Sequence, residues 1–337
     1  MTDALLDVRD LQVEFDTEDG VVTAVNGVSF SVEPGETLAI VGESGSGKSV
    51  SALSIMGLIE KPGRIARGHV DFDNRDLRSI PEREYRKLRG GDLAMIFQDP
   101  LSSLNPAFRV GDQIAEALLT HTYESKKAAR RQAAVLLDVV GIPQAGDRAR
   151  DYPHQFSGGM RQRAMIAMAI ANKPKLLIAD EPTTALDVTI QAQVLEVLRK
   201  AQRETDAAML LITHDLGVVA GMADRVVVMY AGRIVEEGTL DELFYAARHP
   251  YTIGLLNSLP RLDSDRRKPL RTIPGTPPSV LNLPPGCALA PRCLYVQDHC
   301  LEDRPELTAV GPETHRSACF RSAELPALVG VVTDASS

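Results

Sequence analysis

Apolar and polar residues alternate at Leu11, Val13 and Phe15 and again at Val28, Phe30 and Val32, which predicts two half-buried strands joined around Asp19-Gly20. An unbroken apolar run at 37–41 follows, then a short strand near 69–73, a polar helix near 81–88 and a second apolar run at 93–97. From Val110 to about Gly141 the period becomes helical. Ala129, Ala133, Leu136 and Val140 share one face, and Gly141 followed by Pro143 stops the helix. Strand and helix signals then alternate through 175–180, 188–203, 207–213 and 225–230. Such alternation predicts an α/β fold, a mostly parallel sheet covered by helices, with a β-rich opening and a helical insertion at about 99–160. Beyond about Pro250 periodicity fades and Pro274, Pro277, Pro278, Pro284 and Pro285 crowd together, which reads as a separate unit. The small and polar residues from about Ser322 onward read as a poorly ordered tail.

Composition narrows the class. At 337 residues the chain is long for one core, so two domains or a domain with an appendage is expected. Hydrophobic residues make up 44% and charged residues 24%, ordinary globular values, yet no run nears the roughly 18 apolar residues of a membrane-spanning helix. The first ten residues carry acids and no basic cluster, unlike a secretory signal, so a cytosolic location is expected. A net charge of −8 argues against a general nucleic-acid surface, which needs clustered Lys and Arg.

The sharpest chemical signal is Gly42-Glu-Ser-Gly-Ser-Gly-Lys-Ser49, between the run at 37–41 and a stretch that can continue as a helix. Gly42, Ser44, Gly45 and Gly47 form a loop whose backbone N–H groups can turn onto a polyphosphate, and the following helix presents its positive end to the same anion. Lys48 supplies a point charge, and Ser49 can hold Mg²⁺. A nucleoside triphosphate is the expected ligand. The second signal is Lys175-Leu-Leu-Ile-Ala-Asp180-Glu181, an apolar strand ending in two carboxylates where parallel sheets place their ligands. Asp180 can anchor the Mg²⁺ shell. Glu181 can act as general base on the attacking water, a role commonly worth about 10² to 10⁴ in rate. The plainer alternative is that both acids cap the next helix.

Between these motifs stands Phe156-Ser157-Gly158-Gly159-Met160-Arg161-Gln162-Arg163. Here the chain resembles the ATPase subunits of ATP-binding cassette (ABC) transporters, over roughly residues 5–251. The resemblance implies that Ser157, Gly158 and Gly159 bind the γ-phosphate of ATP held on an opposite subunit. It implies that Gln98 senses Mg²⁺ and relays nucleotide state, that Thr184 to Asp187 form a loop across the dimer interface, and that His214 contacts the γ-phosphate. It also suggests Phe15 as the aromatic that stacks on adenine, although an alternating strand gives Phe15 an equally good core role. Phe156 and Met160 depart from the family's commonest residues without removing the hydroxyl or backbone donors.

Gln98-Asp-Pro-Leu-Ser-Ser-Leu-Asn-Pro106, Tyr152-Pro-His-Gln-Phe-Ser157 and His249-Pro-Tyr-Thr-Ile-Gly-Leu-Leu256 resemble the bacterial oligopeptide and dipeptide importers within that family. So do Ile273-Pro-Gly-Thr-Pro-Pro278, Pro-Pro-Gly-Cys287 and Pro-Arg-Cys293, carrying the match to about Phe320. The resemblance implies an ATPase domain over 1–255, a C-terminal extension over 256–321 and a tail over 322–337. It implies a second ATPase subunit, a distinct paralogue or a copy of this chain, two membrane permeases and an extracytoplasmic peptide-binding protein. The chain would then sit on the cytoplasmic face of the inner membrane. All four cysteines, Cys287, Cys293, Cys300 and Cys319, fall in the extension, whose few apolar residues call for some staple. Their spacing alone fits neither zinc ribbons nor ferredoxins. The resemblance implies a [4Fe-4S] cluster, with Zn²⁺ or unligated thiols as alternatives and His299 and His315 as substitute ligands.

Overall fold

Thr17 pairs with Gly20 to close a hairpin between β1 (Leu6–Thr17) and β2 (Gly20–Val32) in the computed structural model, which describes residues 4–122, 125–184, 186–259, 273–311 and 314–325. Val8 and Leu11 are three residues apart, so simple alternation would send them to opposite faces. Both are buried because the register shifts between them, with Asp10 at φ 53°. β4 (Gly63–Phe72) and β5 (Arg75–Asp76) complete a four-stranded sheet of order β2-β1-β4-β5.

The larger sheet contains β3 (Thr37–Val41), β6 (Leu93–Ile96), β7 (Leu176–Asp180), β8 (Ala208–Thr213), β9 (Arg225–Tyr230) and β10 (Arg233–Thr239). β9, β3, β8, β7 and β6 lie side by side in parallel, and β10 joins antiparallel to β9. Every residue of β3, β7 and β8 is buried, as expected for parallel strands covered on both faces. Alternation then sorts the side chains. Leu176, Ile178, Leu210 and Ile212 face the four-stranded sheet and the helix Lys48–Ile55, while Leu177, Ala179, Met209 and Leu211 face the helical region. That region holds the helices Val110–His121, Lys126–Val139 and Gly158–Ala169. The periodic stretch read from Val110 to Gly141 is therefore two helices, the second capped by Ser125, and Gly141 ends it at φ 72°.

The extension is woven into this sheet. β12 (Arg316–Ser317) pairs with Glu236 and Glu237 of β10, and β11 (Thr308–Ala309) pairs with β12, giving the order β11-β12-β10-β9-β3-β8-β7-β6. Leu289, 3% exposed, joins the cluster around Tyr251 and Val228, a burial worth about 2 kcal/mol. His315 Nε2 lies 2.9 Å from Glu236 Oε1, and both side chains are buried. Of the tail read from the sequence, residues 326–337 lie outside the described residues.

The expected [4Fe-4S] or zinc centre is corrected here. Among the described residues no group of three or more His, Cys, Asp or Glu is gathered to hold a metal ion, although Cys287, Cys293, Cys300 and Cys319 are all described. The four cysteines are free. Cys287 and Cys293 pack against the apolar cluster around Leu289. Burial pushes both thiols up and carries Cys319 to about 12, which favours neutral thiols over the thiolates that bind metals. His315 is held by Glu236. Strand pairing and apolar packing supply the staple that the composition demands.

Candidate nucleotide-binding site

The loop Gly42–Gly47 runs from the end of β3 into the helix Lys48–Ile55. Two of its glycines are imposed by space. A Cβ on Gly42 would sit 2.2 Å from the Met229 carbonyl oxygen; one on Gly47, at φ 100°, would sit 2.6 Å from that of Ala24. The strand and loop are thus pressed against their neighbours with the loop's backbone bared on the other side.

Lys48 is 4% exposed, and its ammonium donates to the carbonyl oxygens of Gly42 (2.7 Å) and Glu43 (2.9 Å). It forms no ion pair within 4.0 Å among the described residues. Burial lowers its pKa, opposed by the charges of Glu181, Asp180 and Glu43. Ser46 Oγ is buried without a hydrogen-bond partner. A buried cation without a close counter-charge, an orphaned hydroxyl and a glycine cradle fit a triphosphate.

Ser49 Oγ donates to Asp180 Oδ1 at 2.9 Å, joining the helix start to the end of β7. Burial raises Asp180 to about 6, helped by the Glu181 charge and opposed by the Ser49 hydrogen bond and Lys48. A Ser hydroxyl beside one carboxylate fits Mg²⁺, which in such sites keeps waters and takes its remaining oxygens from substrate phosphates.

Glu181 follows Asp180 with φ 46°, an unusual conformation for a residue with a side chain, held by its N–H donating to Ile212 O at 2.8 Å. Three groups converge on its carboxylate. Thr184 Oγ1 donates to Oε2 at 2.7 Å, Gln98 Nε2 donates to Oε2 at 2.9 Å, and His214 Nδ1 lies 3.3 Å from Oε1. Burial pushes Glu181 upward, but the hydrogen bonds from Thr184 and His214, with the charges of His214 and Lys48, outweigh it and hold the carboxyl below its usual range. Glu181 is thus an ionised, oriented acceptor. Gly42, Glu43, Ser44, Gln98, Glu181, His214 and Leu255 line one groove of about 360 Å³.

Two expected contributors lie elsewhere. Ser157 caps the helix Gly158–Ala169, its Oγ accepting from Met160 N at 3.3 Å; Ser157 and Gly158 are exposed, and neither they nor Gly159 line the groove. Gly159 is pressed against Ile190, where a Cβ would meet Cγ2 at 2.6 Å. Phe15 is partly buried on β1, its ring so close to Gly63 of β4 that a Cβ there would lie 2.6 Å from Cε1. Sequence reasoning missed Glu43, Tyr251 and Arg292, which bond to one another around the phosphate loop. Each stands inside a motif quoted above, Gly42-Glu, His249-Pro-Tyr and Pro-Arg-Cys293, but none of those motifs gives it a role at the site.

A glycine-cradled lysine at a strand end, a Ser–Asp pair and an oriented carboxylate one residue past the end of β7 define a P-loop ATPase site. Residues 25–184 match the ABC transporter family, and residues 235–300 match the oligopeptide/dipeptide transporter C-terminal region. The chain is 53% identical over 320 residues to the oligopeptide transport ATP-binding protein OppD of Salmonella typhimurium, covering 95% of this chain and 94% of that protein. It is 56% identical over 290 residues to the dipeptide transport ATP-binding protein DppD of Bacillus subtilis, covering 86% of each. Among solved structures it resembles a dimeric post-hydrolysis state of the ATP-binding cassette MJ0796 bound to ADP and Pi, with a TM-score of 0.63, 26% identity, and coverage of 70% of this chain and 98% of that one. The chain belongs to the ATP-binding subunits of oligopeptide and dipeptide ABC transporters.

Proposed function

We propose that this chain hydrolyses ATP to power the import of di- and oligopeptides, as one of two ATPase subunits beneath a pair of membrane permeases. The observation that carries the reading is the convergence of Thr184, Gln98 and His214 on the Glu181 carboxylate beside the phosphate loop. Lys48 and the loop N–H groups hold the phosphates. Ser49 and Asp180 hold Mg²⁺, whose chemistry is to offset charge on the phosphoryl oxygens. Glu181 orients a water in line with the γ-phosphate and accepts its proton, while His214 and Gln98 fix the carboxylate and contact the γ-phosphate and the metal shell. Phe15 stacks on adenine.

Ser157, Gly158 and Gly159 serve the ATP of the opposed subunit. The exposure of Ser157 and Gly158, away from the groove of their own chain, supports that division. The opposed subunit is a distinct paralogue or a second copy of this chain. ATP closes the pair and hydrolysis opens it, and the helical region after Gln98 passes the motion to the permeases. Among the described residues no helix is long and apolar enough to cross a membrane, so attachment at the cytoplasmic face comes through the permeases. An extracytoplasmic binding protein delivers peptide. The test is peptide uptake in a strain lacking the gene, complemented with wild type or Lys48→Ala. Restoration by wild type alone supports the reading; normal uptake without the gene defeats it.

A further inference from the structure

Arg292 ends the short turn Ala290–Arg292 of the extension and reaches into the nucleotide-binding core. Its side chain is 5% exposed. Nη1 donates to Glu43 Oε2 at 2.7 Å and Nη2 to Glu43 Oε1 at 3.0 Å, a two-pronged pair. Nη1 also donates to the Tyr230 hydroxyl at 3.2 Å, and Nε to Pro274 O at 2.8 Å. Glu43 is the second residue of the phosphate loop. Its N–H donates to the Tyr251 hydroxyl at 2.7 Å, its carbonyl accepts from the Lys48 ammonium at 2.9 Å, and it lines the groove with Glu181 and His214.

A carboxylate at this place is a liability for a loop that receives a polyanion. Left unpaired, it would repel the phosphates and compete for the Lys48 charge. The guanidinium cancels that charge and draws the carboxylate toward the extension, while Tyr251 fixes the backbone of the same residue. We propose that Arg292 is a positioning residue for nucleotide binding, acting through Glu43 to hold the phosphate loop neutral and in shape, so that the C-terminal extension sets the affinity of the site for ATP. The inference rests on the nucleotide site proposed above.

The test is equilibrium binding of ATP and ADP, with Mg²⁺, to the full-length chain carrying Arg292→Gln, Glu43→Gln or both, with thermal unfolding followed in parallel. Arg292→Gln is expected to weaken ATP binding about tenfold and ADP binding less, since repulsion grows with phosphate charge. Adding Glu43→Gln is expected to recover most of that affinity, because the offending charge is gone, even though the ion pair is not rebuilt. A plain staple predicts otherwise. Equal losses for ATP and ADP that follow the melting temperature, with no recovery in the double variant, would overturn the proposal. So would unchanged ATP affinity in Arg292→Gln. Should Arg292→Gln fail to fold, Glu43→Gln alone decides: ATP affinity equal to or above wild type supports the inference, and a tenfold loss sinks it. Wild-type protein that binds neither nucleotide would defeat the underlying site reading instead.

Discussion

His214 and Glu181 meet across the ends of neighbouring strands β8 and β7, with His214 Nδ1 3.3 Å from Glu181 Oε1. The histidine side chain is 59% exposed and the glutamate 12%, so a half-open imidazole steadies a carboxylate that is almost enclosed. Such a pair suits a water that must be held and deprotonated next to a phosphate. Glu181→Gln keeps the size of the side chain and one acceptor oxygen but removes its charge and its basicity. ATP binding is expected to persist while turnover drops by about 10² to 10⁴. Single-turnover hydrolysis alongside equilibrium ATP binding checks this, and a variant that hydrolyses at the wild-type rate refutes the base assignment.

Thr184 and His214 supply the hydrogen bonds that hold the Glu181 carboxyl low. Without either one, burial is less opposed, the carboxyl rises, and protonation begins at higher pH. Thr184→Val and His214→Ala are therefore each expected to move the acid limb of kcat/KM upward. Rate profiles carried down below pH 4.5, the ordinary value of a glutamate, read the shift directly. A limb that stays in place in both variants would show that some other group controls it.

Asp180 runs against the usual carboxylate pattern. Its native pKa, about 6, lies above its ordinary 3.8, so between these values the folded state binds more protons than the unfolded state. Stability from this group is present at low pH and is lost as pH rises through about 6. In metal-free protein the difference in unfolding free energy between wild type and Asp180→Asn is expected to shrink by about 2 kcal/mol from pH 4 to pH 6.5, most of the full swing. Denaturant unfolding at both pH values measures it. A difference that grows with pH would reverse the sign and reject the raised pKa.

The phosphate loop, Asp180, Glu181, Gln98 and His214 were legible because each occupies a fixed offset from an apolar strand, and strand ends in a parallel sheet fall on one edge. What was not legible depended on distant packing. Nothing local to Arg292 says that it meets Glu43, nor that Arg316 and Ser317 pair with β10, since both contacts join segments far apart in the chain. Through β11 and β12 the stretch beyond Pro250 adds two short strands to the edge of the central sheet. The cysteines misled for the same reason. Four thiols close in sequence suggested a ligand set, yet the folded chain spends two of them in an apolar cluster. Phe15 could be placed on a strand from its neighbours, but its approach to Gly63 could not.

His249 offers a test of the join between cassette and extension. It is 2% exposed, Nδ1 accepts from Tyr251 N at 3.2 Å at the start of the helix Pro250–Asn257, and its own N–H donates to Glu236 Oε2 at 3.1 Å. Burial drives the imidazole down to about 3, against a small opposing contribution from a hydrogen bond with the Ala318 backbone. The ring is therefore neutral in the fold and protonates freely near 6.5 once unfolded. Between those values the unfolded state binds the extra proton, so this stability is complete above about pH 6.5 and declines as pH falls toward 3. A few kcal/mol are at stake, the scale of several pKa units. His249→Asn keeps a capping side chain without a titratable ring. Its offset in stability is immaterial, because the slope carries the information: from pH 6.5 to 4.5 wild type is expected to lose stability faster than the variant. Chemical denaturation across that range, with the Glu236 and His315 pair left intact in both proteins, compares the slopes; parallel lines would mean that His249 is not the buried neutral group.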